Sequence, residues 1–248
     1  MVLRCFFEIF GSLLVTVSAA GLIGGGGIPK PGEVSLAHRG VLFLDELPEF
    51  SRLALEVLRQ PMEDRFVTIG RARAVYTFPA SFLLAASMNP CPCGYWGNET
   101  DSQGCICSPL KITNYRSKIS GPLLDRIDLH VEVPRMDYKD LGAAKMQTSS
   151  AEMKAIVEQA HAIQKERYAG SGLMFNSELS GKLLREHVRL DTESAALLEK
   201  SFELLGLSVR AYDRILKIAR TIADLEGQPA VQKEHVAEAL HYRCLDKK

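Results

Sequence analysis

The sequence lacks an excess of charge of either sign and lacks a long uninterrupted hydrophobic run. Its 248 residues include 30 Lys and Arg and 30 Asp and Glu, so the formal net charge is zero. Strong overall attraction to nucleic acid is therefore not expected, although a local basic patch is compatible with this balance. The apolar run over residues 5–17 is shorter than a standard transmembrane helix, so we predict no membrane partner.

The sequence also lacks an internal repeat and the composition of a disordered chain. Hydrophobic residues make up 46% and charged residues 24%, which is typical of a globular protein with one large or two small domains. Of the six cysteines, Cys5 and Cys244 lie near the termini, whereas the other four fall within residues 91–107. Such clustering indicates a site rather than a scattered disulfide framework.

The hydrophobic pattern predicts an α/β part followed by an all-helical part. Residues 41–44 and 82–86 are typical of strands buried on both faces of a parallel sheet, residues 67–78 of a hairpin, and residues 127–133 of a further strand. Residues 21–35 are rich in Gly and Pro and are predicted to form a loop.

Helix signals dominate after Pro134. The predicted helix N-caps are Ser51 in the first part and Ser149, Asp191 and Ser208 in the second. Gly206 and Gly227 are predicted to end two of these helices, and a last helix is predicted near 231–242. The apolar stripe over 151–163 is predicted to be core. The predicted division is an α/β core over 16–134, a charged linker over 135–150 and a helical domain over 151–248.

An acidic pair follows the first predicted buried strand. In Gly40-Val-Leu-Phe-Leu-Asp-Glu46 an apolar strand leads into Asp45 and Glu46, which is typical of a Walker B segment. The strand would place both acids at its carboxyl edge, where Asp45 can hold Mg²⁺ and Glu46 can polarise an attacking water. The alternative is a strand followed by an acidic turn.

Polar side chains also follow other predicted elements. Asn89 comes after the strand at 82–86, in a place suited to orienting a water, although an Asn-Pro turn is the alternative. Arg71 and Arg73 lie at the predicted hairpin tip, where they would contact DNA phosphates or be two solvated arginines.

The cysteine cluster has the spacing Cys91-x-Cys93, eleven residues, then Cys105-x-Cys107. Four thiolates match a tetrahedral Zn²⁺ site in number, and four protein ligands would leave no open position, which indicates a structural role. A reduced exposed loop and a pair of disulfides remain alternatives.

Several ordered phrases resemble one known family. They are Gly-Gly-Gly-Gly-Ile-Pro-Lys-Pro-Gly-Glu-Val-Ser-Leu-Ala-His (24–38), Asp-Glu-Leu-Pro-Glu-Phe (45–50), Asn-Pro-Cys-Pro-Cys-Gly (89–94) and Gly-Pro-Leu-Leu-Asp-Arg-Ile-Asp-Leu (121–129). Together they resemble the ComM/YifB competence family of Mg-chelatase-like AAA+ ATPases over roughly residues 16–245. The resemblance implies an α/β fold with a partial P-loop NTPase (AAA+) core, followed by an all-helical lid domain.

The resemblance also implies roles for particular residues. Asn89 corresponds to the sensor 1 position and Arg126 to an arginine finger, with a helix-end salt bridge to Asp125 or a neighbour as the alternative. Arg210 corresponds to sensor 2, while Arg214 and Arg220 on the same predicted helix are interpreted as surface charges. The implied activity is that of a ring-forming, hexameric ATPase that uses ATP and Mg²⁺ and acts on DNA, as a helicase or branch-migration motor in natural transformation.

One required motif is missing. A phosphate-binding loop needs Gly-x-x-x-x-Gly-Lys-[Ser/Thr] between a strand and a helix, and this string does not occur. The stretch from Gly24 to Lys30 has Pro29 in place of the second Gly and Pro31 after Lys30, and we expect no helix before Asp45. In the family the loop lies upstream, so weak or absent ATP binding by this chain alone is predicted.

The first residues allow two interpretations. Arg4, the apolar run and Ser18-Ala19-Ala20 imitate a signal peptide, but Glu8 interrupts the apolar stretch. We favour a lead-in over residues 1–15 that lies outside the family and derives from a truncated or rearranged reading frame, in a cytoplasmic protein. Three hypotheses follow: a partial ATPase subunit that lends Arg126 to an intact neighbour, a non-enzymatic Cys₄ DNA-binding or scaffold module, and an inactive remnant.

Overall fold

The computed structural model describes residues 17–71, 74–97, 104–134 and 148–243, and these divide into two units between Ile127 and Asp128. The first unit is α/β and the second is helical. The described residues do not include Arg73, the lead-in predicted over 1–15, or most of the linker predicted over 135–150. The domain boundaries predicted from the sequence stay a prediction.

The α/β unit is built from short elements. Its helices are α1 (Ala19–Ile23), α2 (Glu33–Leu36), α3 (Arg52–Glu56), α4 (Arg59–Asp64), α5 (Pro109–Arg116) and α6 (Gly121–Leu124). Its strands are β1 (Gly24–Gly25), β2 (Lys30–Pro31), β3 (Val41–Leu44), β4 (Phe66–Arg71), β5 (Ala74–Pro79) and β6 (Leu83–Ala86), and a 3₁₀ turn spans Leu47–Glu49. These strands form three separate pairs: β1 with β2, β3 with β6 and β4 with β5.

The β3–β6 pair is parallel and positions the candidate site. Val41 pairs with Leu83 and Leu44 with Ala86. Leu42 and Leu44 are buried in the core of the unit, whereas Val41 and Phe43 are 53% and 39% exposed. The predicted burial of β3 on both faces is therefore wrong for the described residues, because their core covers only one face of this two-stranded sheet.

Local signals explain the course of the chain through α3, α4 and the hairpin. The Ser51 hydroxyl accepts the Ala54 N–H at 3.2 Å, which confirms the predicted cap of α3. The helix ends at Glu56 and a new one begins at Arg59, because Pro61 has no N–H to donate to the carbonyl of Val57. The predicted hairpin is confirmed as the antiparallel β4–β5 pair.

The Gly/Pro-rich stretch folds more tightly than predicted. It contains α1 before and α2 after the β1–β2 pair, so the expectations of a loop over 21–35 and of no helix before Asp45 were wrong. A side chain at Gly24 would collide with the carbonyl oxygen of Lys30, and one at Gly32 with the backbone of Gly24 and Leu22. The glycines thus permit a close backbone approach rather than a flexible loop.

The helical unit contains the helices predicted after Ser149, Asp191 and Ser208, together with a short helix at Gly181–His187 that was not predicted. Its helices are α7 (Ser150–Arg167), α8 (Gly181–His187), α9 (Thr192–Leu205), α10 (Val209–Leu225) and α11 (Lys233–His241), with a 3₁₀ turn at Asn176–Glu178. The side chains of Ser149, Asp191 and Ser208 accept backbone N–H groups of the first turns of α7, α9 and α10, which confirms the predicted caps. Gly206 and Gly227 follow α9 and α10 with φ of 59° and 67°, as expected of C-terminal glycines.

A buried charge network lies inside the helical unit. Asp224 is fully buried; its carboxylate accepts hydrogen bonds from Arg167, from Asn176 Nδ2 at 2.8 Å and from Arg220 Nε at 3.1 Å. Burial opposes the ionisation of Asp224, but the hydrogen bonds from Arg167 and Asn176 hold its pKa below the ordinary value. Arg220 is only 2% exposed, so its interpretation as a surface charge was wrong.

Two other expectations for this part of the chain were wrong. The described residues 128–134 contain no strand; there the His130 N–H donates to the Tyr242 carbonyl at 2.7 Å, within the helical unit. The α7 stripe is exposed in its first half, since Met153, Ile156 and Val157 are between 43% and 54% exposed. Among the helices described, none is long and apolar enough to cross a membrane.

Candidate functional site

The predicted acidic pair lies at the carboxyl edge of the β3–β6 sheet. Because these strands are parallel, Asp45 after β3 and Ser87 after β6 come side by side. The Ser87 hydroxyl donates to Asp45 Oδ1, and the Glu46 N–H donates to the same oxygen at 3.0 Å. Two donors therefore fix the Asp45 carboxylate. Sequence reasoning missed Ser87, although its position directly after β6 was a usable signal.

Glu46 occupies a strained turn. Its backbone is left-handed, with φ 52° and ψ 49°, which costs a non-glycine residue about 1–3 kcal/mol. The turn is held because the Leu47 N–H donates to the Ser87 carbonyl at 2.9 Å and the Glu49 N–H to the Glu46 carbonyl at 2.7 Å. Both Asp45 and Glu46 are exposed, so their carboxylates are accessible to a hydrated cation.

Asn89 lies three residues after β6 and is also exposed. Nearby, the buried ring of Tyr115 lies on α5. Burial raises the pKa of Tyr115, a hydrogen bond with the Asn89 backbone opposes that rise, and the charges of Glu49 and Glu46 add to it. Tyr115 therefore lies beside the segment that carries Asn89.

Arg126 is held inside its own unit. The residue is 7% exposed; Nη1 donates to the Pro122 carbonyl at 2.6 Å and Nη2 pairs with Glu63 Oε1 at 2.7 Å. It lines a cleft of about 430 Å³ together with Glu56, Arg59 and Glu63. Its Nε atom is buried and has no hydrogen-bond partner among the described residues. Contact with another chain would require release of the Glu63 pair, so the finger role stays a prediction.

Arg210 lies in the helical unit and is exposed in the first turn of α10. A cation in the first turn of a helix is unfavourable with the helix dipole. Arg214, on the same helix, pairs with Asp128 Oδ1 at 2.6 Å, and its side chain is 20% exposed. The sensor 2 role of Arg210 stays a prediction.

Arg71 has an intramolecular contact. Its Nη2 donates to the Gly26 carbonyl at 2.9 Å and ties the hairpin to the β1–β2 turn. Arg73, the second predicted DNA contact, lies outside the described residues.

The four clustered cysteines converge as the sequence predicts. Their sulfur atoms all lie within 4.8 Å of one another. The Sγ–Sγ distances are 3.3 Å for Cys91–Cys93, 3.7 Å for Cys91–Cys105 and 3.6 Å for Cys93–Cys105. Tetrahedral zinc with Zn–S bonds of about 2.3 Å requires sulfur separations of about 3.8 Å. The donor set and spacing therefore fit zinc.

Backbone N–H groups prepare part of this cluster for metal. A hydrogen bond from the Tyr95 N–H, the largest influence, lowers the pKa of Cys93 to about 6. Burial opposes ionisation of Cys91, but N–H groups of Trp96 and Cys93 bring its pKa below the ordinary value. Positive φ at Gly94 and Gly97, 82° and 77°, allows the chain to turn here.

The second cysteine pair behaves oppositely in the absence of metal. The Cys107 N–H favours ionisation of Cys105, but burial and the neighbouring sulfurs of Cys93 and Cys91 raise the pKa of Cys105 to about 12. Burial likewise raises the pKa of Cys107. A divalent cation would remove this mutual repulsion and allow all four thiolates to form.

The cluster joins two parts of the candidate site. Cys91 follows Asn89 by two residues, and Cys107 directly precedes Ser108, the N-cap of α5. A metal ion held by these four sulfurs would fix the start of α5, which carries Tyr115, to the segment that carries Asn89. The cysteine cluster thus lies in the chain between Asn89 and α5.

Both parts of the chain match known protein families. The family described as magnesium chelatase, subunit ChlI, matches residues 8–141, and that described as magnesium chelatase, subunit ChlI C-terminal, matches residues 147–243. The first match begins within the segment 1–15 that we expected to lie outside the family.

Full-length relatives extend beyond this chain. Competence protein ComM of Haemophilus influenzae is 46% identical over 231 residues, which cover 93% of this chain and 44% of ComM. YifB of Escherichia coli is 41% identical over 233 residues, which cover 94% of this chain and 44% of YifB. The chain therefore spans less than half the length of these curated relatives.

Proposed function

The chain belongs to the magnesium chelatase subunit ChlI family and is similar to ComM and YifB, and from this premise we propose that it is part of an ATP-dependent, DNA-processing AAA+ motor. The family implies ATP and Mg²⁺ as ligands and a competence-associated protein. The helicase or branch-migration activity, the hexameric ring and the cytoplasmic location are further parts of the proposal.

The main support for the proposed ATPase role is the arrangement of Asp45, Glu46 and Ser87. Asp45 is held by the Ser87 hydroxyl and the Glu46 N–H, so one face of the carboxylate is engaged while the residue stays exposed. A fixed acid at the carboxyl edge of parallel strands suits a magnesium ion that accompanies a nucleotide. Glu46, fixed by its turn, would then orient and polarise the attacking water, and Asn89 would help to position it.

Another chain would complete the nucleotide-binding site. The sequence given contains no Gly-x-x-x-x-Gly-Lys-[Ser/Thr] string, so we expect these residues by themselves to contribute little to phosphate binding. We infer that a neighbour with such a string supplies the phosphate cradle and that this chain contributes Arg126 in trans. Arg126 would leave Glu63 for the γ-phosphate, and Arg210 would approach the phosphates from the helical domain.

DNA is the proposed substrate of the motor. Support comes from the similarity to ComM, which is named a competence protein. Because the chain has zero net charge, we expect DNA contacts from local groups, with Arg71 and Arg73 on the hairpin as candidates.

A second candidate function is favoured by the sulfur geometry alone. The Cys₄ cluster fits a structural zinc site whether or not the chain takes part in ATP hydrolysis. In that case the protein would be a metal-stabilised module that binds DNA or a partner protein without nucleotide. Loss of this binding on chelation, without any effect of ATP, would support the second function over the first.

The deciding experiment mixes the purified chain with a longer family member that carries its own phosphate-binding string. We expect little binding of a fluorescent ATP analogue with Mg²⁺ by this chain alone, and increased ATP turnover on mixing. Arg126→Lys should remove the increase while keeping a cation beside Glu63, and Arg185→Lys, on the exposed surface of α8, is the matched control. Tight analogue binding by the isolated chain, or an increase that survives Arg126→Lys, would contradict the proposed division of labour.

A further inference from the structure

The four clustered cysteines differ in their access to solvent. Cys91 is fully buried, whereas Cys93, Cys105 and Cys107 are each partly exposed. A small uncharged oxidant such as hydrogen peroxide can therefore reach the last three sulfur atoms but not the first. Oxidation of a cysteine depends on its exposure and on thiolate character, and ligation to zinc requires the thiolate form.

Two of the exposed sulfur atoms lie close together although they come from separate parts of the chain. The Sγ atoms of Cys93 and Cys105 are 3.6 Å apart. A disulfide bond is about 2.05 Å long, so these atoms need to approach each other by only about 1.5 Å. Cys91 and Cys93 lie nearer, at 3.3 Å, but a single residue separates them and Cys91 is buried.

Glycines adjoin both of the exposed partners. Gly94 follows Cys93 with φ of 82°, and Gly104 directly precedes Cys105. A Cβ atom built at either glycine would meet no other atom within 4 Å, so there is open space around both. Because the glycine backbone rotates more freely than that of other residues, small rotations on each side can bring the two sulfur atoms together.

The cluster is joined to both ends of α5. Cys107 directly precedes Ser108, whose hydroxyl accepts the Lys111 N–H at 3.3 Å and caps the helix. At the other end, the guanidinium carbon of Arg116 lies 5.0 Å from the centre of the Trp96 ring, in the segment after the first cysteine pair. A helix of 8 residues is marginal by itself, so a change at the cysteines reaches all of α5.

We propose that the cysteine cluster is a peroxide-sensitive zinc site, in which oxidation joins Cys93 to Cys105 and releases the metal. The inference rests on the zinc site of the second proposed function and is independent of ATP hydrolysis. It adds a modification that the site undergoes, the chemical class of the oxidant, and the pair of sulfur atoms that reacts.

The reaction consumes one hydrogen peroxide and two protons. The thiolate of Cys93 or Cys105 attacks a peroxide oxygen, the O–O bond breaks, and the departing hydroxide takes a proton to form water. The second thiolate then attacks the sulfenic sulfur, so the S–S bond forms, the S–O bond breaks, and that hydroxide also leaves as water. The two sulfur atoms together lose two electrons, which reduce the peroxide.

The disulfide removes two of the four zinc ligands. Cys91 and Cys107 remain, and two thiolates do not complete a tetrahedral site, so the metal dissociates. The N-terminus of α5 then loses its link to the segment that carries Asn89. A dithiol reductant restores the two thiolates by thiol–disulfide exchange, and zinc binds again.

Zinc release and thiol loss measure this reaction together. In a zinc-loaded chain with Cys5→Ser and Cys244→Ser, the clustered cysteines are the only thiols. A small excess of hydrogen peroxide should release the zinc to a chromogenic chelator that removes none without peroxide. The thiols of the denatured chain should fall from four to two, and a dithiol with Zn²⁺ should restore them. Hydrogen exchange should rise in α5 and stay unchanged in α10.

Histidine substitutions separate zinc binding from disulfide formation. Cys105→His keeps a fourth ligand as an imidazole nitrogen but removes the sulfur that Cys93 needs. This variant should release zinc to peroxide roughly tenfold more slowly, because its nearest accessible partner is absent. Cys107→His is the matched control: it keeps Cys93 and Cys105 and should respond like the parent chain. Equal release rates from the two variants would overturn the inference.

Mapping of the disulfide is a second test that needs no ligand variant. Cleavage after Tyr95 or Trp96 separates Cys91 and Cys93 from the other pair, so a bond to Cys105 holds the two peptides together until reduction. Free thiols that are blocked before reduction identify the bonded pair by mass spectrometry. A different pair, or zinc release without a disulfide, would contradict the proposal.

The outcomes also distinguish this inference from the site on which it rests. A purified chain that binds no zinc would remove both the inference and the second proposed function. A chain that binds zinc but keeps it in peroxide, with its thiols intact, would remove the inference alone. ATP turnover on mixing with the longer family member is measured separately and decides only the motor.

Discussion

The two units of this protein reach order by different routes. In the helical unit, helices of up to 18 residues begin at side-chain caps and surround a buried charge network. In the α/β unit no described helix exceeds 8 residues, and the strands form three separate pairs. The helical unit therefore depends on local signals and one network, whereas the α/β unit depends on long-range pairing and, we expect, on a metal ion.

The largest expected difference between the units comes from metal. Removal of zinc with a chelator, or the double substitution Cys91→Ser with Cys93→Ser, should destabilise the α/β unit by several kcal/mol. The upper limit is the free energy of zinc binding, which is roughly 10–16 kcal/mol in zinc-dependent peptides. Hydrogen exchange should rise around 89–97 and α5 and stay unchanged in α10. Zinc affinity should also fall as the pH drops, because zinc must displace protons from Cys105 and Cys107 already near neutral pH, and the fall should steepen below about pH 6, where Cys93 is protonated as well. Equal exchange in both units with and without zinc would contradict the comparison.

In the helical unit, we expect the largest loss of stability from a change in the buried charge network around Asp224. Asp224→Ala leaves Arg167 and Arg220 without their shared carboxylate, which should cost about 3–5 kcal/mol. Chemical denaturation followed by helical circular dichroism measures the loss. Glu158→Gln is the control, because its pair with Lys154 is exposed at 67% and 74% and should contribute almost nothing.

The pair between Glu63 and Arg126 tests the α/β unit in the same way. Glu63→Gln removes the partner of a buried guanidinium, but Glu63 itself is 37% exposed, so we expect a smaller loss of about 1–2 kcal/mol. Glu49→Gln breaks only the exposed pair with Lys118 and serves as the control. Equal losses in the two variants would mean that Arg126 is not held by Glu63 in solution.

Helix caps should have the smallest effect and should affect the units similarly. Ser208→Ala and Ser51→Ala each remove one hydroxyl that accepts a first-turn N–H, at 3.1 Å and 3.2 Å. Each should cost about 1 kcal/mol. Ser→Asp at both positions should retain the cap. A much larger effect at Ser208 would show that this hydroxyl has a role beyond the helix terminus.

The apolar stripe of α7 shows why some sequence inferences failed. Met153, Ile156 and Val157 recur at helical spacing, yet they are exposed while Ala160 is buried. Periodicity reports which side chains share a face but not whether another element covers that face. Similarly, Arg220 resembled a surface charge until Asp224 and the carbonyls of Gln228 and Pro229 were seen to enclose it.

The candidate site was predicted in part. The position of Asp45 and Glu46 after a strand follows from four apolar residues and two acids in sequence, and the structure places them there. Ser87 was missed because its role depends on the register of β3 against β6 over a separation of 42 residues. Glu63 was missed as the partner of Arg126 because this contact also joins residues that are far apart in the chain.

The sequence by itself determined the N-caps of α3, α7, α9 and α10, the hairpin, the edge that carries Asp45 and Glu46, and the likeness to the ComM and YifB proteins. These features depend on neighbouring residues: a capping hydroxyl, a glycine with positive φ, or a short run of apolar side chains. Only the tertiary structure decided that the four sulfurs meet within 4.8 Å, that Arg126 pairs with Glu63 and that Arg116 lies against Trp96. Such contacts join residues that are distant in the chain, so packing of the whole unit fixes them.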